Sequence, residues 1–356
     1  MSRYAQLHAN PSGPGDARPT ALQIIQDENL LAGKLTGKIA LVTGANVSIG
    51  LESARALHAA GMTVYLGARD PVKGEAARLD ILASSASSST PSSAPVHVLQ
   101  MELDSLASVR RAANEFLSKE PTLTIFIANA GVMATPEGRT RDGFETQFGT
   151  NHLGHFLLFH LLKDRLLAGS SPEFHSRFVS VSSMGHRGSE IRFHDGVDGG
   201  PDYAFDAPGS YNPWTAYGQA KTANIYLANE IERRYGSGSS NPRLHALSLH
   251  PGGIWSNLQQ HVGADVIESW KAAEGLNDFM KSPAQGASTS IYAAVSAEWE
   301  GRGGRYLDNC LETGPVREGL APLDFSDNGY APWAFDVQKA TKLWEESCRL
   351  VGVQDD

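Results

Sequence analysis

Two cysteines in 356 residues, Cys310 and Cys348, are too few for a disulfide scaffold, and no spacing pairs them. Positive charge is also short. Thirty Lys and Arg face 39 Asp and Glu, the net charge is −9, and no basic stripe gathers, which argues against a nucleic-acid partner. No apolar run approaches the roughly 18 residues a membrane span needs. The first twenty residues lack both the apolar core of a secretory signal and an Arg/Ser-rich transit pattern. The G-x-S-x-G elbow of α/β hydrolases is missing as well. Twelve histidines are present, but His152 and His155 have no carboxylate or cysteine at a ligand spacing, so packed histidines are expected and no metal. These absences leave a reduced, soluble, cytoplasmic protein as the expectation.

What is present is an alternation. Apolar segments at 38–43, 62–67, 96–99, 123–128, 177–182, 244–249 and 304–307 read as strands. Helical patterns fall between them, at 49–60, 71–83, 105–118, 142–168, 214–235 and 283–298. Strands alternating with helices predict right-handed βαβ crossovers, and near-continuous apolar strands predict a sheet covered on both faces. The fold class is α/β, a single Rossmann-like, doubly wound parallel sheet flanked by helices, with ligands beyond the carboxyl ends of its strands.

The expected divisions are an N-terminal extension over 1–35, the sheet domain over 36–330, and a C-terminal helix over 331–356 packed on it. Residues 1–19, rich in Pro and Gly, read as a disordered or loosely docked tail. In 20–31, Leu22, Ile25 and Leu30 share a helical face. The Ser-rich stretch 83–95 reads as a surface loop. The segments 185–216 and 251–282 interrupt the alternation and are the expected substrate-binding insertions. In the last helix Phe335, Ala340, Leu343, Trp344 and Leu350 form the expected buried set.

The first strand runs into Gly44, Asn46, Ser48, Ile49 and Gly50 and then a helix, the context of a dinucleotide loop. Glycine permits the tight turn, and a helix N-terminus offers free N–H groups to a pyrophosphate. Ser48 stands where glycine is usual; its hydroxyl offers a donor to phosphate. Arg69 ends the second strand, where an arginine suits the 2′-phosphate of NADP and a carboxylate the 2′-OH of NAD. A plain solvated arginine is the competing reading. Asp70 before Pro71 reads as a helix N-cap.

Tyr217 and Lys221 are i and i+4 in YGQAK, so they share a helix face. An ammonium beside a phenol favours the phenolate and suits the tyrosine to proton transfer at a carbonyl or alcohol oxygen. Ser183 follows the strand 177–182, Asn129, Ala130 and Gly131 follow 123–128, and Asn151 lies in NHLGHF. Each has a plain alternative: Ser183 or Asn129 closing a turn, Asn151 satisfying a buried backbone group. Tyr203, Phe205, Tyr211 and Trp214, with Trp255 and Leu258, either line an apolar pocket near Tyr217 or anchor a long loop.

TGANVSIG, NAG at 129–131 and YGQAK together resemble the short-chain dehydrogenase/reductase superfamily over about residues 36 to 310. VSSMGHRG, NHLGHF and LWEES are similar to its retinol-dehydrogenase-like and WW-domain-oxidoreductase-like branch. The resemblance implies Tyr217 as acid/base, with Lys221 lowering its pKa and holding the nicotinamide ribose. Ser183 would orient the substrate oxygen, and Asn151 would hold a water that connects Lys221 to solvent. Leu103 and Asp104 would lie beside the adenine. Pro251, Gly252 and Ser256 would meet the nicotinamide carboxamide, Ser256 replacing the family's threonine. The implied protein is an NADP(H)-dependent oxidoreductase, preferring NADP(H) to NAD(H), that acts on an apolar carbonyl or alcohol and forms a possible homodimer or homotetramer. An isomerase or cyclase without net redox, or a non-catalytic nucleotide-binding scaffold, is the alternative.

Overall fold

The computed structural model describes residues 2–193, 210–237, 243–319, 324 and 327–355. Its centre is an eight-stranded sheet in the order β3-β2-β1-β4-β5-β6-β7-β8. The strands are β1 (Ile39–Thr43), β2 (Thr63–Ala68), β3 (Val96–Gln100), β4 (Ile125–Ala128), β5 (Ser176–Val181), β6 (Leu244–His250), β7 (Arg305–Asp308) and β8 (Leu311–Glu312). All neighbours run parallel except β7 and β8. Every residue of β1, β4, β5 and β6 is buried, because helices cover both faces and no position can afford a solvent-facing polar side chain unpaired. The order in which strands are added reverses about β1, since β2 and β3 lie on one side and β4 on the other. Their carboxyl ends therefore open a crevice at the switch point.

Helix starts are marked by side-chain caps. Asp70 accepts from Val72 N at 2.9 Å with Pro71 in the first turn, as its place in the sequence predicts. Asn212 does the same for helix Pro213–Tyr235, which carries Tyr217 and Lys221. The pattern over 142–168 resolves into a short turn at Thr146–Phe148, a π-helical stretch at Gly149–Leu153 and helix Gly154–Ala168. The pattern over 283–298 divides likewise into Pro283–Gly286, Ser288–Val295 and Ala297–Trp299.

The N-terminal segment departs from the expected loose tail. Tyr4 is buried against Tyr292, and the Arg18 side chain is buried under residues 278–280. Its guanidinium donates to the carbonyls of Met280 at 2.6 Å, Phe279 at 2.8 Å and Gly13 at 3.1 Å, and pairs with Asp16 at 2.8 Å. Gly13 and Asp16 are local, but the carbonyls of Phe279 and Met280 lie some 260 positions away, where nothing in the nearby sequence discloses them. Removing the head group strands several buried carbonyls and a carboxylate. Arg18→Ala is therefore expected to cost about 3 kcal/mol of stability, read as a lower urea midpoint. An unchanged midpoint would contradict the clamp.

Within helix Ala21–Asp27 Ile25 is buried as expected, together with Ala21 and Ile24, whereas Leu22 is exposed. The C-terminal helix Val337–Val351 buries Ala340, Leu343 and Trp344 as expected, with Ser347, Cys348 and Val351 completing the stripe. Phe335 and Leu350 are only half-buried beside it. Trp344 meets Phe156 edge-on at 5.0 Å. The two histidines of NHLGHF are spent inside the core: His152 bonds Ser347 at 2.8 Å and His155 bonds Thr43 at 2.8 Å.

Candidate active site

The turn after β1 is built around close backbone approaches. Gly44 adopts φ +65°, and a Cβ there would come within 3.0 Å of Ala130. A Cβ on Gly50 would stand 2.3 Å from the Gly44 carbonyl, so only glycine fits. Ser48 adopts φ +53° at the start of helix Ser48–Ala59, the left-handed conformation that costs a side-chain-bearing residue about 1–2 kcal/mol. Its hydroxyl is buried and has no hydrogen-bond partner among the described residues. The helix has no side-chain cap on Val47, so its first amides stay available. An orphan hydroxyl, uncapped amides and a glycine cradle together fit a phosphate group. Asn46 and Ile49 are half-buried in the same turn.

Thr43, which the motif reading passed over as the strand's last letter, binds this turn to β4. Its Oγ1 accepts from the amides of Asn129 at 2.9 Å and Ala130 at 3.0 Å, while Asn129 Nδ2 donates to the Thr43 carbonyl at 2.8 Å. Gly131 continues into the site; a Cβ there would lie 3.0 Å from Asn151 Oδ1 and 3.5 Å from Lys221 Nζ. Arg69 is exposed just past β2 and makes no hydrogen bond or ion pair among the described residues. Leu103 is buried against Gly154, and the half-buried Asp104 receives the Arg141 amide on its carbonyl.

Ser183, Tyr217 and Lys221 converge at the carboxyl end of β5. Tyr217 is 5% exposed and shares a hydrogen bond with Ser183, whose Oγ also accepts from the Gly185 amide at 3.0 Å. Lys221 Nζ donates to the Val181 carbonyl at 3.0 Å and sits 5.7 Å from the centroid of the Tyr217 ring. Here the electrostatics reverse one expectation. Burial pushes the Tyr217 phenol up to about 12, opposed by the Ser183 hydrogen bond, and burial pulls the Lys221 ammonium down to about 8. Burial disfavours the charged form of each group, and that dominates both. At neutral pH the phenol therefore keeps its proton.

Two further site residues already have partners within the protein. The Asn151 side chain is taken up at both ends by Val132, accepting from its amide at 2.8 Å and donating to its carbonyl at 2.9 Å. Only its main-chain carbonyl faces another partner, His155 Nδ1 at 2.9 Å. Ser256 Oγ accepts from Leu258 N at 3.2 Å and so caps the short helix Asn257–His261. Pro251 and Gly252 are held from behind by Lys281, whose ammonium donates to the Pro251 carbonyl at 3.3 Å.

Met133, Ala134, Leu258 and Val262 pack around Tyr217 as an apolar wall. Tyr211 is an anchor, its hydroxyl donating to Glu145 at 2.9 Å. Trp214 and Trp270 meet edge-on at 5.9 Å, joining the start of helix Pro213–Tyr235 to helix Ala264–Ala272. Trp255 is half-buried, and Tyr203 and Phe205 lie outside the described residues.

Comparison with known proteins decides what this arrangement belongs to. A family model described as short chain dehydrogenase matches residues 38–191. The short-chain dehydrogenase/reductase prx1 of Penicillium roqueforti is 45% identical over 355 residues, covering 99% of this chain and 96% of the relative. The chain belongs to the short-chain dehydrogenase/reductase family. Retinol dehydrogenase 12 of Mus musculus is 35% identical over 90% of this chain and 88% of its own length, which places the chain in the retinol-dehydrogenase-like branch. A solved structure of an uncharacterized protein from Mycobacterium paratuberculosis is 30% identical with a TM-score of 0.61, covering 90% of this chain and 95% of that one. The Pseudomonas aeruginosa RhlG/NADP complex shares the fold at 21% identity, with a TM-score of 0.56 over 77% of this chain and 94% of that one. Membership of this family implies a nicotinamide cofactor and a dehydrogenase or reductase role on small molecules. No helix among the described residues is long and apolar enough to cross a membrane.

Proposed function

We propose that this short-chain dehydrogenase/reductase is an NADP(H)-dependent enzyme that interconverts a carbonyl and an alcohol on an apolar small molecule. One observation carries the reading: a protonated, buried Tyr217 hydrogen-bonded to Ser183, with Lys221 beside it and an apolar wall against its ring. Gly44, Asn46, Ser48, Ile49 and Gly50 would hold the pyrophosphate and Arg69 the 2′-phosphate. Leu103 and Asp104 would face the adenine, and Asn129, Ala130 and Gly131 would form the floor of the groove. Pro251, Gly252 and Ser256 would hold the carboxamide, and Tyr217 and Lys221 the adjoining ribose. The nicotinamide, when bound, supplies or accepts hydride at the substrate carbon. Tyr217 donates its proton to the carbonyl oxygen in reduction and recovers it from the alcohol in oxidation, while Ser183 orients that oxygen. Asn151 would hold a water that connects Lys221 to solvent. Segments 185–216 and 251–282 would set substrate choice.

The test is consumption of NADPH by purified protein with a panel of apolar aldehydes and ketones, decanal and cyclohexanone among them. Turnover with NADPH supports the reading; binding of NADPH with product isomerised and no cofactor consumed would favour chemistry without net redox.

Two further outcomes follow from the site. Ser48→Ala removes a hydroxyl that no protein group uses, so thermal stability stays near the native value. A charge-assisted bond to phosphate is lost, and the NADPH dissociation constant rises about tenfold or more. Unchanged affinity in a fluorescence titration would remove Ser48 from the phosphate site. The pH profile reports Lys221. It is charged below about pH 8 and neutral above, whereas Tyr217 holds its proton to about pH 12. With NADPH as the varied substrate, kcat/KM is therefore level below pH 8 and falls above it. A profile with no downturn until the tyrosine range would contradict this assignment.

A further inference from the structure

The turn after β5 carries a second buried side chain. His186 is fully buried, its ring tilted against that of Tyr306 at 5.1 Å, and its two ring nitrogens have separate partners. Nδ1 lies 2.6 Å from the Ser183 carbonyl, and Nε2 accepts from the Ala331 amide at 3.0 Å. A backbone amide only donates, so Nε2 bears the lone pair and Nδ1 bears the proton. The ring is thus a one-directional bridge from the segment ahead of the C-terminal helix to the peptide of Ser183. Arg187 repeats the attachment, donating to the Gly329 carbonyl at 2.8 Å and the Asp327 carbonyl at 3.0 Å. Thr222, next to Lys221, closes the far side by donating to the Ser189 carbonyl at 2.7 Å. Burial drives the His186 ring down to about 3, so it stays neutral and the bridge persists across working pH.

We propose that His186 is a positioning residue for Ser183: its Nδ1–H bond, beside the His186 main-chain amide at 3.1 Å, fixes the Ser183 peptide and with it the hydroxyl that meets Tyr217. The proposal rests on the reading of Ser183 and Tyr217 as the reacting pair. Ser183 Oγ serves both the Gly185 amide and Tyr217 from an extended backbone at φ −166°, so a small rotation of this peptide swings the hydroxyl away from the phenol. Catalytic geometry tolerates little of that.

Two variants separate positioning from packing. In His186→Asn the side-chain amide reaches the place of Nδ1 and still donates to Ser183, but falls short of Ala331. In His186→Gln the carbonyl oxygen reaches the place of Nε2 and accepts from Ala331, leaving the Ser183 carbonyl with only the main-chain amide of residue 186, at 3.1 Å. Each loses one buried hydrogen bond, so their thermal midpoints fall together. Their kcat for decanal reduction does not: His186→Asn keeps kcat within severalfold of native, whereas His186→Gln loses up to about a hundredfold, both with an unchanged NADPH dissociation constant. Equal kcat losses that track the midpoints, or a native kcat in His186→Gln, would overturn the proposal. Should His186→Gln not fold, Ala331→Pro removes only the amide that anchors Nε2, at a φ of −65° that already suits proline. Like His186→Asn it spares the Nδ1 bond to Ser183, so a kcat within severalfold of native is expected there, and a hundredfold loss contradicts. Ser183→Ala keeps the two failures apart. Full activity in that variant sinks the reading of the site, while loss there with native kcat in both His186 variants sinks this inference alone.

Discussion

Tyr217→Phe is expected to lower kcat for carbonyl reduction by about 10²–10⁴-fold while raising the NADPH dissociation constant only about severalfold, the worth of one hydrogen bond to the ribose. Burial keeps the phenol protonated through the neutral range, so it stands as an acid next to Ser183. Phenylalanine preserves the ring and removes only the proton and its oxygen. The ring itself is held by contacts the substitution spares: Met133, Ala134, Leu258 and Val262 pack around it, and Gly185 passes so close that a Cβ there would stand 2.8 Å from the ring edge. The stability cost is that of one buried hydrogen bond, about 1 kcal/mol. A kcat within a few-fold of native would show that another group delivers the proton. Weakened NADPH binding in step with kcat would point to a role in holding the ribose.

The second large effect concerns cofactor choice. Arg69→Ala is expected to weaken NADPH binding by about 10–100-fold, the worth of a charge-assisted contact to phosphate, and to leave NADH binding as it was. The side chain is exposed and makes no hydrogen bond or ion pair among the described residues, so the fold loses nothing with it. Asp70 still caps the following helix through its own carboxylate. The contact lies at the surface, so the native preference for NADPH also shrinks as salt rises. A variant that keeps the native preference would place the 2′-phosphate elsewhere.

The sheet was legible because each of its strands is a short apolar run bounded by turns, and burial on both faces makes that run continuous. YGQAK was legible because a helix period of 3.6 brings i and i+4 together on any helix, whatever the fold around it. Long-range satisfaction was not legible. Arg18 reads locally as one more polar residue in a Pro- and Gly-rich tail, yet its acceptors are carbonyls some 260 positions away. The same blindness hid His186, whose partner Ala331 arrives from the other end of the chain.

Electrostatics misled for a related reason. Spacing placed Lys221 near Tyr217 and suggested a depressed phenol, but spacing carries no information about desolvation, which dominates once both groups are buried. Motif placed Asn151, and a replaced threonine placed Ser256, but neither disclosed their contacts: one side chain closes on Val132, the other caps a helix. Ser48 is the opposite case. Its identity looked like a defect in a glycine loop, and its left-handed backbone with an unpartnered hydroxyl makes it a candidate ligand.

The most direct test of the account is a pair of fluorescence titrations of the native protein, one with NADPH and one with NADH, under identical salt. The account predicts saturable binding of both, with NADPH the tighter by about tenfold or more. Absence of binding to either would contradict it at its base, leaving the Ser48 loop a βα turn and the buried Tyr217 without a hydride partner.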